Sequence, residues 1–312
     1  MVSFRGFDAA AYQTRRDDGG KSITPMTLSP SQIASAYAHC ERLARDHYEN
    51  FPVASLLLPR DKRRNVAAIY AFARQADDFA DEAPWEGRRL ELLADWRRRL
   101  DLAAAGAADH PVFIALADTL AKRRLPVALL HDLISAFERD VKVTSYESFD
   151  QLLGYCRLSA NPVGRLLMHL FDQNEEALLL QSDSICTALQ LANFWQDVGI
   201  DLDKGRCYIP REDLERFRCT QTELRRRTTS PGFIELMRFQ VGRTRALFAR
   251  GSGLPGQVGG RLGFELRLVL MGGQRVLDLI EAAGFDVFNR RPKLTTQDWG
   301  RLLVRAAVTG TR

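Results

Sequence analysis

The sequence predicts an all-α protein, one large helical bundle around a central cavity. Apolar residues recur with helical spacing almost throughout, and runs alternating with period two are scarce. Ser-Pro start signals punctuate the pattern. No Gly/Ser-rich linker, internal repeat or shift in composition divides the 312 residues.

The elements follow in order. Residues 1–28 read as an irregular leader without the apolar core of a secretion signal. Ser29-Pro30-Ser31-Gln32 has the form of a capping box with proline at the first helical position, so the folded domain is expected over 29–312. Further helices are expected at 62–83, 86–104, 111–123, 126–141, 149–171, 174–202, 231–249, 258–284 and 294–307. Ser148 with Gln151, and Ser230 before Pro231, give two more start signals. Pro162 falls inside 149–171 and should kink or open that helix, because it cannot donate to the ladder.

Composition narrows the class. A chain 46% hydrophobic and 27% charged is globular, which excludes disordered and collagen-like readings. The net charge of +5 is too small and dispersed for nucleic-acid binding, but suits an anionic ligand or an acidic membrane surface. No apolar run approaches the roughly 18 residues of a spanning helix. Five cysteines without a C-x-x-C pair argue for buried thiols in a reducing, cytoplasmic setting.

Chemistry concentrates in two stretches. In Ala67–Glu82 a nearly all-apolar helix ends in four carboxylates, with Asp77 and Asp81 four residues apart on one face. That spacing places them about 6 Å apart along the axis, where like charges repel unless a cation lies between them. In Leu189–Asp201, Asn193, Asp197 and Asp201 repeat the four-residue spacing on one stripe. Two such stripes facing each other across a cavity would offer only oxygen ligands, the donor set of Mg²⁺, which completes its shell with water and substrate phosphate. Arg74 and Arg206 lie beside them, and guanidinium forks bind either phosphate or the neighbouring carboxylates.

Other signals carry less. Gly251-Ser252-Gly253-Leu254-Pro255-Gly256 fits G-x-G-x-x-G formally but follows a helix, and is expected to be an interhelical loop. The five histidines have no metal-ligand spacing. The tail from Phe288 to Val304 is basic and modestly amphipathic; it suits a docked terminal helix better than a membrane contact.

With these residues in view, the chain resembles the squalene/phytoene synthase family of head-to-head isoprenoid synthases. Asp77-x-x-x-Asp81 is similar to the family's first aspartate motif. Asn193-x-x-x-Asp197-x-x-x-Asp201, followed by Gly205-Arg206-x-Tyr208-x-Pro210, is similar to the second. Tyr155-Cys156 matches the family's Tyr-Cys helix. Three features depart from the squalene and phytoene synthase pattern: Gln196 replaces an arginine, Asn161-Pro162 replaces a glycine position, and His47 to Ser55 replaces a Ser-Phe-rich segment. These three resemble the hydroxysqualene-forming branch.

The resemblance implies an isoprenoid synthase fold and two or three Mg²⁺ ions on Asp77, Asp81, Asn193, Asp197 and Asp201. It implies catalysis by these residues with Tyr155, and a substrate site including His47, Phe51, Ser55, Arg74, Asn161, Gln196, Arg206 and Tyr208. The implied reaction converts presqualene diphosphate and water to hydroxysqualene and diphosphate, without NADPH. Substrate would come from a presqualene diphosphate synthase and product pass to a reductase. Condensation of two prenyl diphosphates is the alternative, and a non-catalytic scaffold the second. Phe51, Tyr155, Phe72 or Phe194 could stabilise the carbocation by cation–π contact, and Asn161, Gln196 and His47 could hold the quenching water.

Overall fold

The computed structural model describes residues 28–46 and 58–309. Of the expected leader only Leu28 falls within that range, and His47, Phe51 and Ser55 lie outside it. Among the described residues the structure is helical, with one isolated bridge between Ser145 and Cys207.

The start signals work as the residue types dictate. α1 (Pro30–Asp46) opens on the Ser29 box: the Gln32 N–H donates to Ser29 Oγ at 3.3 Å, and the Ser29 N–H donates to Gln32 Oε1 at 2.8 Å. α2 (Arg60–Asp81), α3 (Arg89–Ala104), α4 (Pro111–Arg123) and α5 (Val127–Lys142) follow, close to the expected boundaries. The expected 149–171 helix opens at Ala160 into α6 (Phe149–Ser159) and α7 (Asn161–Leu170), with Pro162 in the first turn of α7.

The expected 174–202 helix is also two pieces, α8 (Glu176–Gln196) and α9 (Val198–Asp203), separated at Asp197 with φ −107° and ψ 14°. Short helices α10 (Arg211–Arg216) and α11 (Gln221–Arg225) occupy a stretch without expected structure. α12 (Pro231–Gly251) starts on Ser230, whose Oγ accepts from the Phe233 N–H. The glycine-rich stretch is not a plain loop: Leu254–Val258 forms a short helix, α13. α14 (Gly260–Ala282) and α15 (Thr296–Thr309) complete the chain. α15 docks on α14 through Trp299, Leu302 and Ala306, as the docked-tail reading expects.

Two apolar cores set the architecture. One gathers α1 to α4 with the Leu130–Ile134 face of α5; the other gathers α6, α8, α12 and α14. α5 and α7 belong to both, since Ala136 and Met168 pack in the second core while Leu166 and Leu170 pack in the first. α2, with the first aspartate pair, therefore belongs to one core, and α8, with the second motif, to the other. Their acidic ends meet at the seam.

Candidate active site

α2 places Asp77 and Asp81 on its last turns, where the sequence changes from apolar to acidic. The second stripe survives the break in its helix. The Asp197 N–H donates to the Asn193 carbonyl and the Asp201 N–H to the Asp197 carbonyl, both at 2.9 Å, so the three residues still rise on one side. Beyond α9, Gly205 adopts φ +73°, a conformation open to glycine, and turns the chain back. The Arg206 N–H then donates to the Asp201 carbonyl and the Cys207 N–H to the Thr144 carbonyl. This anchoring aims Arg206 and Tyr208 inward.

The stripes face each other through charge. Arg206 Nη2 donates to Asp81 Oδ1 at 2.6 Å, and Lys204 Nζ to Asp81 Oδ2 at 2.9 Å. Arg206 also reaches the Asp140 carbonyl at 3.3 Å. Arg74 lies 2.5 Å from Asp78 and 3.4 Å from Asp77, so it pairs with its own helix first. The start of the basic C-terminal tail, read from sequence only as a docked element, closes the other side. Arg291 grips Asp197 bidentately at 2.6 and 2.9 Å, while the Gln196 amide donates to the Pro292 carbonyl. Phe288 lies beside Gly199, where an added Cβ would meet it at 3.7–3.8 Å.

The electrostatics sort the carboxylates. Burial would raise Asp81, but hydrogen bonds from Arg206 and Lys204 outweigh it and hold the carboxyl below its ordinary range. Surrounding protein raises Asp77 to about 6, with Arg74 opposing and Asp81 adding to the rise. Burial raises Asp201 to about 7, and neighbouring Asp197 adds to it.

Aromatic rings roof the site. Phe194 and Tyr208 stack at 3.8 Å between centroids and 7° between planes, with Tyr155 and Tyr146 around them. The Tyr155 hydroxyl donates to Asp140 Oδ2 at 2.8 Å. Asp140 was not singled out in the sequence. Its other oxygen is buried without a hydrogen-bond partner, and burial pushes the carboxyl up to about 7. Phe72 does not join this group: it is fully buried in the first core against Trp96 and Phe113.

Residues 44–298 match the family model described as squalene/phytoene synthase. The chain belongs to the squalene/phytoene synthase family. It is 37% identical to the hydroxysqualene synthase of Zymomonas mobilis over 79% of this chain and 81% of that protein. It is 28% identical to the phytoene synthase of Arthrospira platensis over 90% of this chain and 95% of that one. The crystal structure of squalene synthase HpnC from Alicyclobacillus acidocaldarius superposes with a TM-score of 0.79 at 39% identity, covering 82% of this chain and 97% of that one.

Squalene/phytoene synthases act on isoprenoid diphosphates and use divalent metal, and the donors present fit such an ion. All are oxygens, Asp81 and Asp197 already attract cations, and the raised Asp77 and Asp201 carboxyls would both gain from added positive charge. Among the described residues no three His, Cys, Asp or Glu side chains cluster tightly enough to hold one ion. Each ion would thus rely on one or two carboxylates and take further oxygens from water and phosphate, as Mg²⁺ does.

Two polar groups expected in the pocket each have one protein partner. Asn161 is 7% exposed, and its side-chain oxygen accepts from Thr187 Oγ1 at 2.9 Å. Gln196 bonds the C-terminal segment. Lys204, Arg291 and Asp140 are the site residues that sequence reasoning missed. Lys204 sits in the second motif's own tail but meets Asp81 of α2, while Arg291 and Asp140 come from segments that reach the motifs only through tertiary packing.

Proposed function

We propose that the chain is a Mg²⁺-dependent hydroxysqualene synthase that converts presqualene diphosphate and water to hydroxysqualene and diphosphate. The observation that carries this reading is the gradient of similarity. Over more than 250 residues, identity is 37% and 32% to proteins named hydroxysqualene synthase, against 28% and 29% to those named phytoene synthase. Gln196 and Asn161, where the family pattern has arginine and glycine, support the same branch.

In this reading Arg206 and Lys204 donate to the departing diphosphate oxygens, and Arg74 and Arg291 add positive charge at the rim. Mg²⁺ on Asp77, Asp81, Asn193, Asp197 and Asp201 would supply charge neutralisation of the same leaving group. The stacked faces of Phe194, Tyr208 and Tyr155 stabilise the cation that remains, at roughly 0.5–2 kcal/mol per ring. Asp140 orients Tyr155. Water completes the reaction, and no NADPH is consumed. A presqualene diphosphate synthase would supply the substrate and a reductase would take the product, in the cytoplasm.

The second reading, head-to-head condensation of two prenyl diphosphates, draws on phytoene synthase relatives that cover 90% of the chain. One assay separates the two. Presqualene diphosphate and farnesyl diphosphate are supplied separately with Mg²⁺ and without NADPH, and products are identified by mass spectrometry. Hydroxysqualene from presqualene diphosphate alone is expected. Conversion of farnesyl diphosphate to a coupled C30 product would overturn the assignment.

A further inference from the structure

Beside the tail of the second motif lies a cavity of about 330 Å³. Arg225, at the end of α11, and Arg227, in the turn after it, line this cavity with Gln221 and Asp203. Leu202 and Leu224, which both pack against the second core, give it an apolar wall. Gly205 borders it too, and a Cβ there would meet nothing within 4 Å, which marks open space along the tail. Neither the five oxygen donors of the two motifs nor the stacked rings of Phe194, Tyr208, Tyr155 and Tyr146 line it. The cavity is therefore separate from the active site.

Its lining carries positive charge that the protein does not neutralise. Asp203 is the one acid among the lining residues, and it pairs with Arg227. Arg206 also lines the cavity but gives its guanidinium to Asp81. The Arg225 side chain has no hydrogen bond or ion pair among the described residues. Neighbouring guanidinium groups repel one another, and a bound anion relieves that repulsion. Their planar forks match the oxygens of a phosphate or diphosphate two at a time. A solvated basic turn would need no cavity behind it, whereas this one has the volume of a small-ligand pocket. The space exceeds what a phosphate group alone would fill, and the two leucines suit an organic part.

We propose that this cavity is a second anion site, which holds a small organic molecule by its diphosphate group. Arg225 takes one phosphoryl group, and Arg227 exchanges Asp203 for the other. Leu202 and Leu224 cover the organic part, and the Gln221 amide adds a neutral donor. The guanidinium groups supply the charge, so a metal ion is not needed for binding here. No bond is made or broken at this site. The inference holds whichever of the two reactions the active site performs.

The test is calorimetric titration of the full chain with dimethylallyl diphosphate, inorganic diphosphate and sulfate, in EDTA at about 0.15 M salt. Dimethylallyl diphosphate is expected to bind more tightly than inorganic diphosphate, and sulfate far more weakly than either. Arg225→Gln should weaken dimethylallyl diphosphate binding about tenfold, the loss of one charge-assisted contact. Asp203→Asn should instead tighten it severalfold, because Arg227 is released and a repelling carboxylate is gone. An ion pair that only stabilised the fold would not give these opposite signs. Hydrogen exchange locates the ligand: amides of 202–207 and 221–227 are expected to be protected when it binds. Absence of binding, sulfate binding as tight as diphosphate, or Arg225→Gln titrating like wild type would each overturn the site. Protection confined to α2 and α8 would overturn it too, by placing the anion at the motifs. Equal affinity for the two diphosphates would overturn the role of Leu202 and Leu224.

Discussion

Asp77 and Asp201 hold their protons in the folded chain over a pH range where an exposed aspartate has lost them. Their carboxyls titrate near 6 and 7, against an ordinary 3.8, because surrounding protein disfavours the charge and neighbouring carboxylates add to it. The folded state therefore binds more protons than the unfolded state between about pH 4 and 7. Their contribution to stability falls as pH rises through that window and stays low above it. A divalent ion needs the ionised forms, so its stabilising effect runs the other way. Mg²⁺ measured against EDTA is expected to raise the melting temperature little at pH 5 and by several degrees at pH 8. A concentration of about one hundred times Kd corresponds to roughly 2.7 kcal/mol. Differential scanning fluorimetry at the two pH values checks this, and an equal shift at both would contradict it. Asp77→Asn with Asp201→Asn should remove most of the pH 8 shift. These two acids were legible because four-residue spacing on one helix is a local property. Asp140 and Arg291 were not, because their significance lies in which distant surface they meet.

At the scale of the element, helix starts were easier to read than helix ends or breaks. Ser29, Ser148 and Ser230 each accept from a backbone N–H three residues on, a bond that the local sequence alone makes available. The break at Asp197 is different: it coincides with Phe288 lying beside Gly199 and Gln196 holding Pro292, contacts across about ninety residues of chain. α10, α11 and α13 span only five or six residues, too few for a periodic pattern to register. Close packing between elements was hidden for the same reason. A Cβ on Gly251 of α12 would lie 2.4 Å from Ile185 Cγ1 and 2.7 Å from the Gln181 carbonyl of α8, and backbone cannot easily retreat. Gly251→Ala is expected to destabilise the fold by about 1–3 kcal/mol. Gly300, within α15, has nothing within 4 Å of its hypothetical Cβ, so Gly300→Ala should stabilise by about 0.5–1 kcal/mol. Urea denaturation of the two variants measures both signs, and equal effects would contradict the packing argument.

For the whole molecule, the modest +5 of the sequence conceals a local alternation of acids and guanidinium groups at one seam. Across that seam Lys204 and Arg206 tie the second motif to Asp81 of the first core. Such partly exposed pairs contribute little to stability on their own, so they do not join the cores energetically. The shared helices do. α5 gives Leu130, Leu133 and Ile134 to the first core and Ala136 to the second; α7 gives Leu166 and Leu170 to the first and Met168 to the second. Neither core can open without stripping apolar surface from a helix that the other needs, so the two should unfold together. The tryptophans report on them separately: Trp85 and Trp96 lie in the first core and Trp195 in the second. Variants that keep tryptophan in only one core, with phenylalanine elsewhere, are expected to give coincident urea transitions once each is referred to its own circular dichroism curve. Two separated fluorescence midpoints within one variant series would mean that α5 and α7 do not couple the cores. The active site would then lie between two independent folding units.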